Sequence, residues 1–230
     1  MNVRHPAKYT DALFPVFARL IPPATRGLDP FGGTGKIFKL YDLVDKLDIA
    51  CVEIEPECAA SDSRIMIGNA LDLPFEDGTF DWICTSPTYG NRMADHHEAK
   101  DKSTRNTYRH ALGRPLHRDN AGALQWGRDY QEFHLRAWKE AWRVLKPGGR
   151  FILNCKDHIR RGRRVGVCAW HVDALLALGF LLCETIPIAC PGNRFGQNGK
   201  QRVEHELVFC FGKPSEQDRL TFESQRLNTI

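Results

Sequence analysis

An α/β fold is expected: a mostly parallel sheet covered by helices on both faces. Two observations predict it. Short strand-like runs alternate with amphipathic segments along the chain, the pattern of strands joined by crossover helices. The loops "DPFGGTG", "EIEPE", "GNALDLP" and "TSPTYG" all follow such runs, so they gather at the carboxyl edge of the sheet, where ligands bind in this architecture.

From the N-terminus, "TDALFPVFARLI" (10–21) has helical apolar spacing with Thr10 as N-cap. "RGLD" (26–29) is a short strand, followed by the glycine loop and a helix over "KIFKLYDLVDKL" (36–47). "DIACVEIE" (48–55) is a strand, and "PECAASDS" is a short helix opened by Pro56. "RIMIGNA" (64–70) and "FDWICTS" (80–86) are further strands. "DYQEFHLRAWKEAWRVL" (129–145) is an amphipathic helix ended by "KPGG". "RFILNC" (150–155) is a strand, "CAWHVDALLALGF" (168–180) a helix stopped by Gly179, and "LLCETIPIA" and "EHELVFCFG" are closing strands. One domain is expected over 1–213, with a polar insertion at 91–128 and a tail at 214–230.

The chain has 230 residues, enough to bury a core without disulfides or metal. None of its eight cysteines forms a Cys-x-x-Cys pair, and Cys51, Cys84, Cys155 and Cys210 lie in apolar runs as small hydrophobes. A reducing cytoplasm is the expected setting. "MNVRHPAKYT" lacks the apolar run of a secretory signal, and no stretch approaches the ~18 apolar residues of a membrane span. Asp95, His96 and His97 could suggest a metal, but adjacent histidines cannot easily aim at one ion, so none is expected.

Charge is segregated. Residues 91–164 hold 18 Lys/Arg against 8 Asp/Glu, a net of +10, while the whole chain is +4. A basic block beside a ligand edge predicts a polyanionic partner.

A strand, a glycine-rich turn and a helix make a nucleotide-binding device: Gly32, Gly33 and Gly35 let the backbone approach a ligand beside a helix N-terminus. Glu53 closes the second strand about twenty residues later, where an acid holds ribose hydroxyls. Asn69 and Ala70, after the third strand, can cup an adenine with an amide and a backbone N–H.

Taken together, "LDPFGGTGK", "VEIEPE", "GNALDLPFEDGTFDWICTSPTYGNR" and "RVLKPGGRFI" resemble the motif series of S-adenosylmethionine-dependent methyltransferases. More narrowly they resemble the DNA amino methyltransferases, with motifs D-P-F-x-G-x-G-T and [DNS]-P-P-[YFW]. "HPAKYTDALFPVFARLI" is similar to that family's cofactor-clasping segment. The resemblance covers about residues 5–155 and, more loosely, "RVEHELVFCF". It implies a Rossmann-like class I methyltransferase fold with a seven-stranded sheet, S-adenosyl-L-methionine as cofactor and DNA as partner. It adds Tyr9, Thr10, Asp29 and Phe31 to the cofactor residues.

The resemblance also explains "TSPTYG". An exocyclic amine on a base is a poor nucleophile, because its lone pair is delocalised into the ring. Two acceptors aimed at its hydrogens, here Ser86 and the Pro87 carbonyl, turn the nitrogen toward sp3 geometry, and acceptors already in place supply the rate. Tyr89 stacks on a base flipped out of its duplex. Thr88 departs from the pattern, which has a second Pro there. The Ser that opens the motif favours cytosine N4 over adenine N6. Methylation at carbon five would need a Pro-Cys nucleophile, and no such dipeptide occurs.

Nucleic-acid contacts are expected from Asn91 and Arg92, from Arg160, Arg161 and Arg163 in "NCKDHIRRGRR", and from Asn193 and Arg194 in "PGNRFGQNGKQR". Two alternatives stay open: a methyltransferase acting on RNA, and a non-catalytic nucleic-acid-binding protein that keeps the fold.

Overall fold

The computed structural model describes residues 9–90, 107–190, 201–215 and 217–218. Its strands are β1 (Arg26–Asp29), β2 (Asp48–Glu53), β3 (Ile65–Ile67), β4 (Phe80–Thr85), β5 (Leu145–Cys155), β6 (His158–Arg160), β7 (Arg163–Val165), β8 (Leu181–Ala189) and β9 (His205–Gly212). Seven of them form one sheet in the order β3-β2-β1-β4-β5-β9-β8. The first five are parallel, and β9 is antiparallel to both β5 and β8. Strand order reverses at β1, which lies between β2 and β4, so a crevice opens beyond the carboxyl ends of β1 and β4.

Two apolar layers sandwich the sheet, and the strands feed both by alternation. On β4, Trp82 and Cys84 face one layer while Ile83 faces the other; on β5, Ile152 opposes Phe151 and Leu153. One layer is built with α1 (Phe14–Leu20), whose Phe14 and Phe17 pack beside Ile37 and Phe38. After α2 (Pro56–Ala59) and α3 (Tyr108–Leu112), the other layer takes α4 (Arg128–Val144) and α5 (Val167–Ala177). The buried positions of α4 are Tyr130, Phe133, His134, Ala137, Trp138, Ala141 and Val144, the stripe its spacing predicts. Asp129 in its first turn and Arg143 in its last complement the helix dipole.

Three expectations are corrected. The helix predicted over 36–47 is only a 3-10 turn at Lys36–Asp42. Thr10 stands at an N-cap position, but its hydroxyl makes no capping bond, and a 3-10 turn (Asp11–Leu13) precedes α1. "KPGG" is not a loop between helix and strand: β5 begins at Leu145, which pairs with Phe80, and the stretch is a bulge there. Lys213 explains this, exchanging backbone bonds with Gly148 and Gly149 and sending its Nζ to the Trp142 and Leu145 carbonyls. The β6–β7 hairpin was not expected; Arg161 (φ 51°) and Gly162 (φ 73°) form its turn, matching the primed turns that join twisted strands. Among the described residues no helix is long and apolar enough to cross a membrane.

Candidate active site

A cavity of about 260 Å³ sits at the carboxyl edge of β1, β2, β3 and β4. Its wall includes Tyr9, Phe31, Gly32, Gly33, Glu53, Asn69, Ala70, Ser86, Pro87 and Tyr89. The expected cofactor half and the expected catalytic loop thus share one space.

At the β1 end, the backbone must pass close to β2. A Cβ on Gly32 would collide with Cys51 Sγ, and the Gly32 N–H donates to the Val52 carbonyl at 2.8 Å. Glu53 locks this loop from the neighbouring strand, accepting from the Gly33 N–H at 2.8 Å and from the Glu55 N–H at 2.9 Å. Burial pushes its carboxyl up to about 7, against the pull of those two N–H groups.

Asp29, Thr10 and Gly35 are not part of the cavity wall. Asp29 lies fully buried behind it, accepting from Tyr9 Oη (2.8 Å), Thr85 Oγ1 (2.9 Å) and the Phe31 N–H (3.1 Å). Its role is to hold three wall elements together: the N-terminal segment, the glycine loop and the end of β4. Burial raises its carboxyl to about 6 despite these donors. Thr10 is exposed, and Gly35 turns the chain into the 3-10 helix at φ 76°.

The third side of the cavity comes from an unexpected source. Residues 107–124 of the insertion close over the cofactor half, and Tyr108, Asp119, Asn120 and Ala121 line the cavity. Glu55 anchors the segment, accepting from Arg114 Nη2 (2.6 Å), the His117 N–H (2.8 Å) and Asn120 Nδ2 (2.8 Å). Arg114 also pairs with Glu57, and these carboxylates raise its pKa above the usual arginine range. Asn69 Nδ2 donates to Asp119 Oδ2 at 3.2 Å. This part of the basic block is therefore turned toward β2 and α2.

The loop after β4 forms another wall of the cavity, with Ser86, Pro87, Thr88 and Tyr89. Ser86 Oγ lies 3.0 Å from Asn154 Oδ1, and Tyr89 Oη 3.2 Å from the same oxygen. The Asn154 amide is oriented by Glu206 Oε2 and the Leu207 carbonyl, which accept from Nδ2. Oδ1 can only accept, so with its hydrogen directed to Asn154 Ser86 keeps an Oγ lone pair; Tyr89 Oη also lies 2.9 Å from Ser86 Oγ, and either hydroxyl can donate within that pair. The Tyr89 ring lines the cavity with its hydroxyl anchored, and burial raises its pKa well above the tyrosine range.

Behind the loop, Tyr130 Oη donates to the Thr88 carbonyl at 2.7 Å and meets His171 Nε2 at 2.9 Å; Trp138 Nε1 donates to His171 Nδ1 at 3.1 Å. Indole is only a donor, so His171 carries its hydrogen on Nε2 and donates to Tyr130. Burial holds the pKa of His171 well below the usual range, keeping it neutral. Gly90 is stitched to Trp126, whose N–H donates to its carbonyl at 3.0 Å. The Thr88 hydroxyl is buried with no partner among the described residues.

Sequence reasoning missed Asn154, Glu206, Asp119 and Arg114, and it read Tyr108 as an aromatic of the insertion that contacts bases rather than as part of the cavity wall. A polar residue closing an apolar strand ("FILNC") was the one signal for Asn154. Arg160, Arg161 and Arg163 are exposed on the hairpin. Asn91, Arg92, Asn193, Arg194 and the Asp95, His96, His97 group lie outside the described residues.

The residues present fit S-adenosylmethionine. The close-approach glycines leave room for a ligand, and the carboxylates of Glu53 and Asp119 suit hydroxyl and amine donors and a cationic sulfonium. Tyr9, Phe31, Gly32, Gly33, Glu53, Asn69 and Ala70 would hold it.

Solved structures share the fold. The [4+2]-cyclase SpnF superposes with a TM-score of 0.57 at 15% identity, over 89% of this chain and 82% of that one. A SAM-dependent methyltransferase from Methanosarcina mazei gives 0.57 at 14% identity, over 89% and 99%. One from Aquifex aeolicus gives 0.51 at 14% identity, over 87% and 90%. No curated protein matches the chain. Residues 80–229, well over half of the chain, match the N6/N4 methyltransferase family described as DNA methylase. The cavity, its glycine loop and its Ser-Pro-Thr-Tyr wall thus lie in a chain that belongs to the S-adenosylmethionine-dependent DNA amino-methyltransferase family.

Proposed function

We propose that this protein methylates an exocyclic amino nitrogen of a base in DNA, cytosine N4 in preference to adenine N6, with the base flipped into the cavity. One observation carries the reading: Ser86, its hydrogen held by Asn154, presents an oxygen lone pair in the same cavity wall as the glycine loop and Glu53. When bound, the cofactor supplies a methyl group on a cationic sulfonium. The chain's residues supply the rest. Ser86 Oγ and the Pro87 carbonyl accept from the amine hydrogens, and the Tyr89 ring offers a face for the base. Serine, unlike aspartate, brings no charge to the amine, and that opening residue supports cytosine. The basic hairpin contacts phosphate, and a cytoplasmic setting follows from a DNA substrate.

Tyr89→Ala tests the reading. Cofactor affinity by calorimetry should stay within about threefold while methylation falls by about 100-fold, the loss of base stacking and positioning. Loss of cofactor affinity with methylation per bound cofactor unchanged would remove Tyr89 from the base site.

A further inference from the structure

Three strands meet at the catalytic side of the cavity: β4 leads to Ser86 and Tyr89, β5 carries Asn154, and β9 carries Glu206. Glu206 lies in the cavity wall, 9% exposed. Its partners among the described residues are the Asn154 amide at 3.5 Å and the Cys190 thiol at 3.3 Å. Neither is a cation, and both are weak donors at long range. A buried carboxylate so lightly compensated is costly to the fold and needs a reason.

Two other carboxylates line the cavity, and both are committed to its cofactor half. Glu53 accepts from the glycine loop, and Asp119 accepts from Asn69. Glu206 instead joins the catalytic loop through one residue, Asn154, whose amide oxygen holds the Ser86 and Tyr89 hydroxyls.

Resting on the amino-methylation reading above, we propose that Glu206 faces the target amine and accepts the proton its nitrogen releases. The amine nitrogen forms a bond to the methyl carbon as the carbon–sulfur bond breaks, and that electron pair stays on sulfur. The nitrogen is then cationic and carries one hydrogen too many. That proton passes to the Glu206 carboxylate and on to water when the product leaves. Neither Ser86 nor Asn154 can take it, since a neutral hydroxyl and a neutral amide are both far too weak as bases. The carboxylate also favours positive charge moving from sulfur toward nitrogen.

Glu206→Gln keeps size and hydrogen bonding while removing the charge. It should lower kcat by about 100-fold, the scale of a lost acid–base group. Binding of S-adenosylhomocysteine should stay within about twofold. An analogue with an ammonium group in place of the sulfonium methyl should bind about tenfold more weakly, a readout independent of turnover. Glu206→Asp should recover at least about tenfold in kcat over the Gln variant. An unchanged kcat, or unchanged analogue binding, overturns the assignment. Equal losses for the analogue and S-adenosylhomocysteine make Glu206 structural and overturn it too. Wild-type protein that labels no amino nitrogen, while still binding both nucleosides, would instead defeat the amino-methylation reading beneath it.

Discussion

Ser86 can accept from an amine only while its own hydrogen is engaged elsewhere, and Asn154 engages it. Asn154→Ala should therefore lower kcat by about 10- to 100-fold with cofactor affinity intact, because the hydroxyl hydrogen becomes free to compete with the substrate. Single-turnover rates beside calorimetric binding check this; a loss confined to binding would contradict it. Asp29 and Glu53 give a stability signature. Their carboxyls stand at about 6 and about 7 in the fold, above the ~4 of the unfolded chain. The folded state binds more protons between those values, so these groups destabilise it as pH rises from ~4 to ~7. Asp29→Asn should flatten that part of the profile, removing roughly 2 kcal/mol of pH dependence between pH 4.5 and 7.5, read from denaturant unfolding at those two values. An unaltered profile would contradict the assignment. That the Ser86–Tyr89 loop lines the ligand edge was legible in the sequence because these residues are contiguous and directly follow a strand. Asn154 and Glu206 were not, because only the register of β5 against β9 brings them beside it.

The elements explain how the loop around Thr88 holds its shape. α4 places Tyr130 against the Thr88 carbonyl, and α5 places His171 behind Tyr130. Tyr130→Phe should lower kcat about tenfold and the Tm by ~2–4 °C, the loss of roughly one buried hydrogen bond in a chain of this size; unchanged kcat would make the bond merely structural. The insertion acts at the same scale, as a wall of the cofactor half. Arg114→Ala should weaken cofactor binding about tenfold and leave kcat at saturation nearly unchanged, since Glu55 would lose the cation that seats residues 107–124. Calorimetry decides, and unaltered affinity would remove this segment from the cofactor site. Helix α4 was legible because its apolar period is regular. The closing role of the insertion was not, because composition showed positive charge without showing that Arg114 is neutralised by Glu55 and Glu57. The β6–β7 hairpin escaped notice because its turn uses Arg-Gly where Asn-Gly or Asp-Gly is the usual signal.

At the scale of the whole molecule, a chain of net charge +4 concentrates +10 in residues 91–164. Part of that charge is internally paired, as at Arg114, Arg143 and Arg164, and part is exposed on the hairpin at Arg160, Arg161 and Arg163. Reversing the three hairpin charges should weaken DNA binding and flatten its dependence on salt, by about one slope unit for each phosphate no longer neutralised. An unchanged slope would leave the hairpin outside the interface. The parallel sheet and its ligand edge were readable from alternating elements and loop chemistry, whereas the partners that meet across that edge came from long-range topology. Methyl transfer to a base amine at the Ser86–Tyr89 loop is put to its sharpest test by mass spectrometry of nucleosides, taken from DNA and RNA incubated with the protein and labelled S-adenosylmethionine. Label should appear on the exocyclic nitrogen of cytosine in DNA and vanish with Ser86→Ala. Label only in RNA, or on a carbon atom, or on no base while the cofactor still binds, would contradict that chemistry.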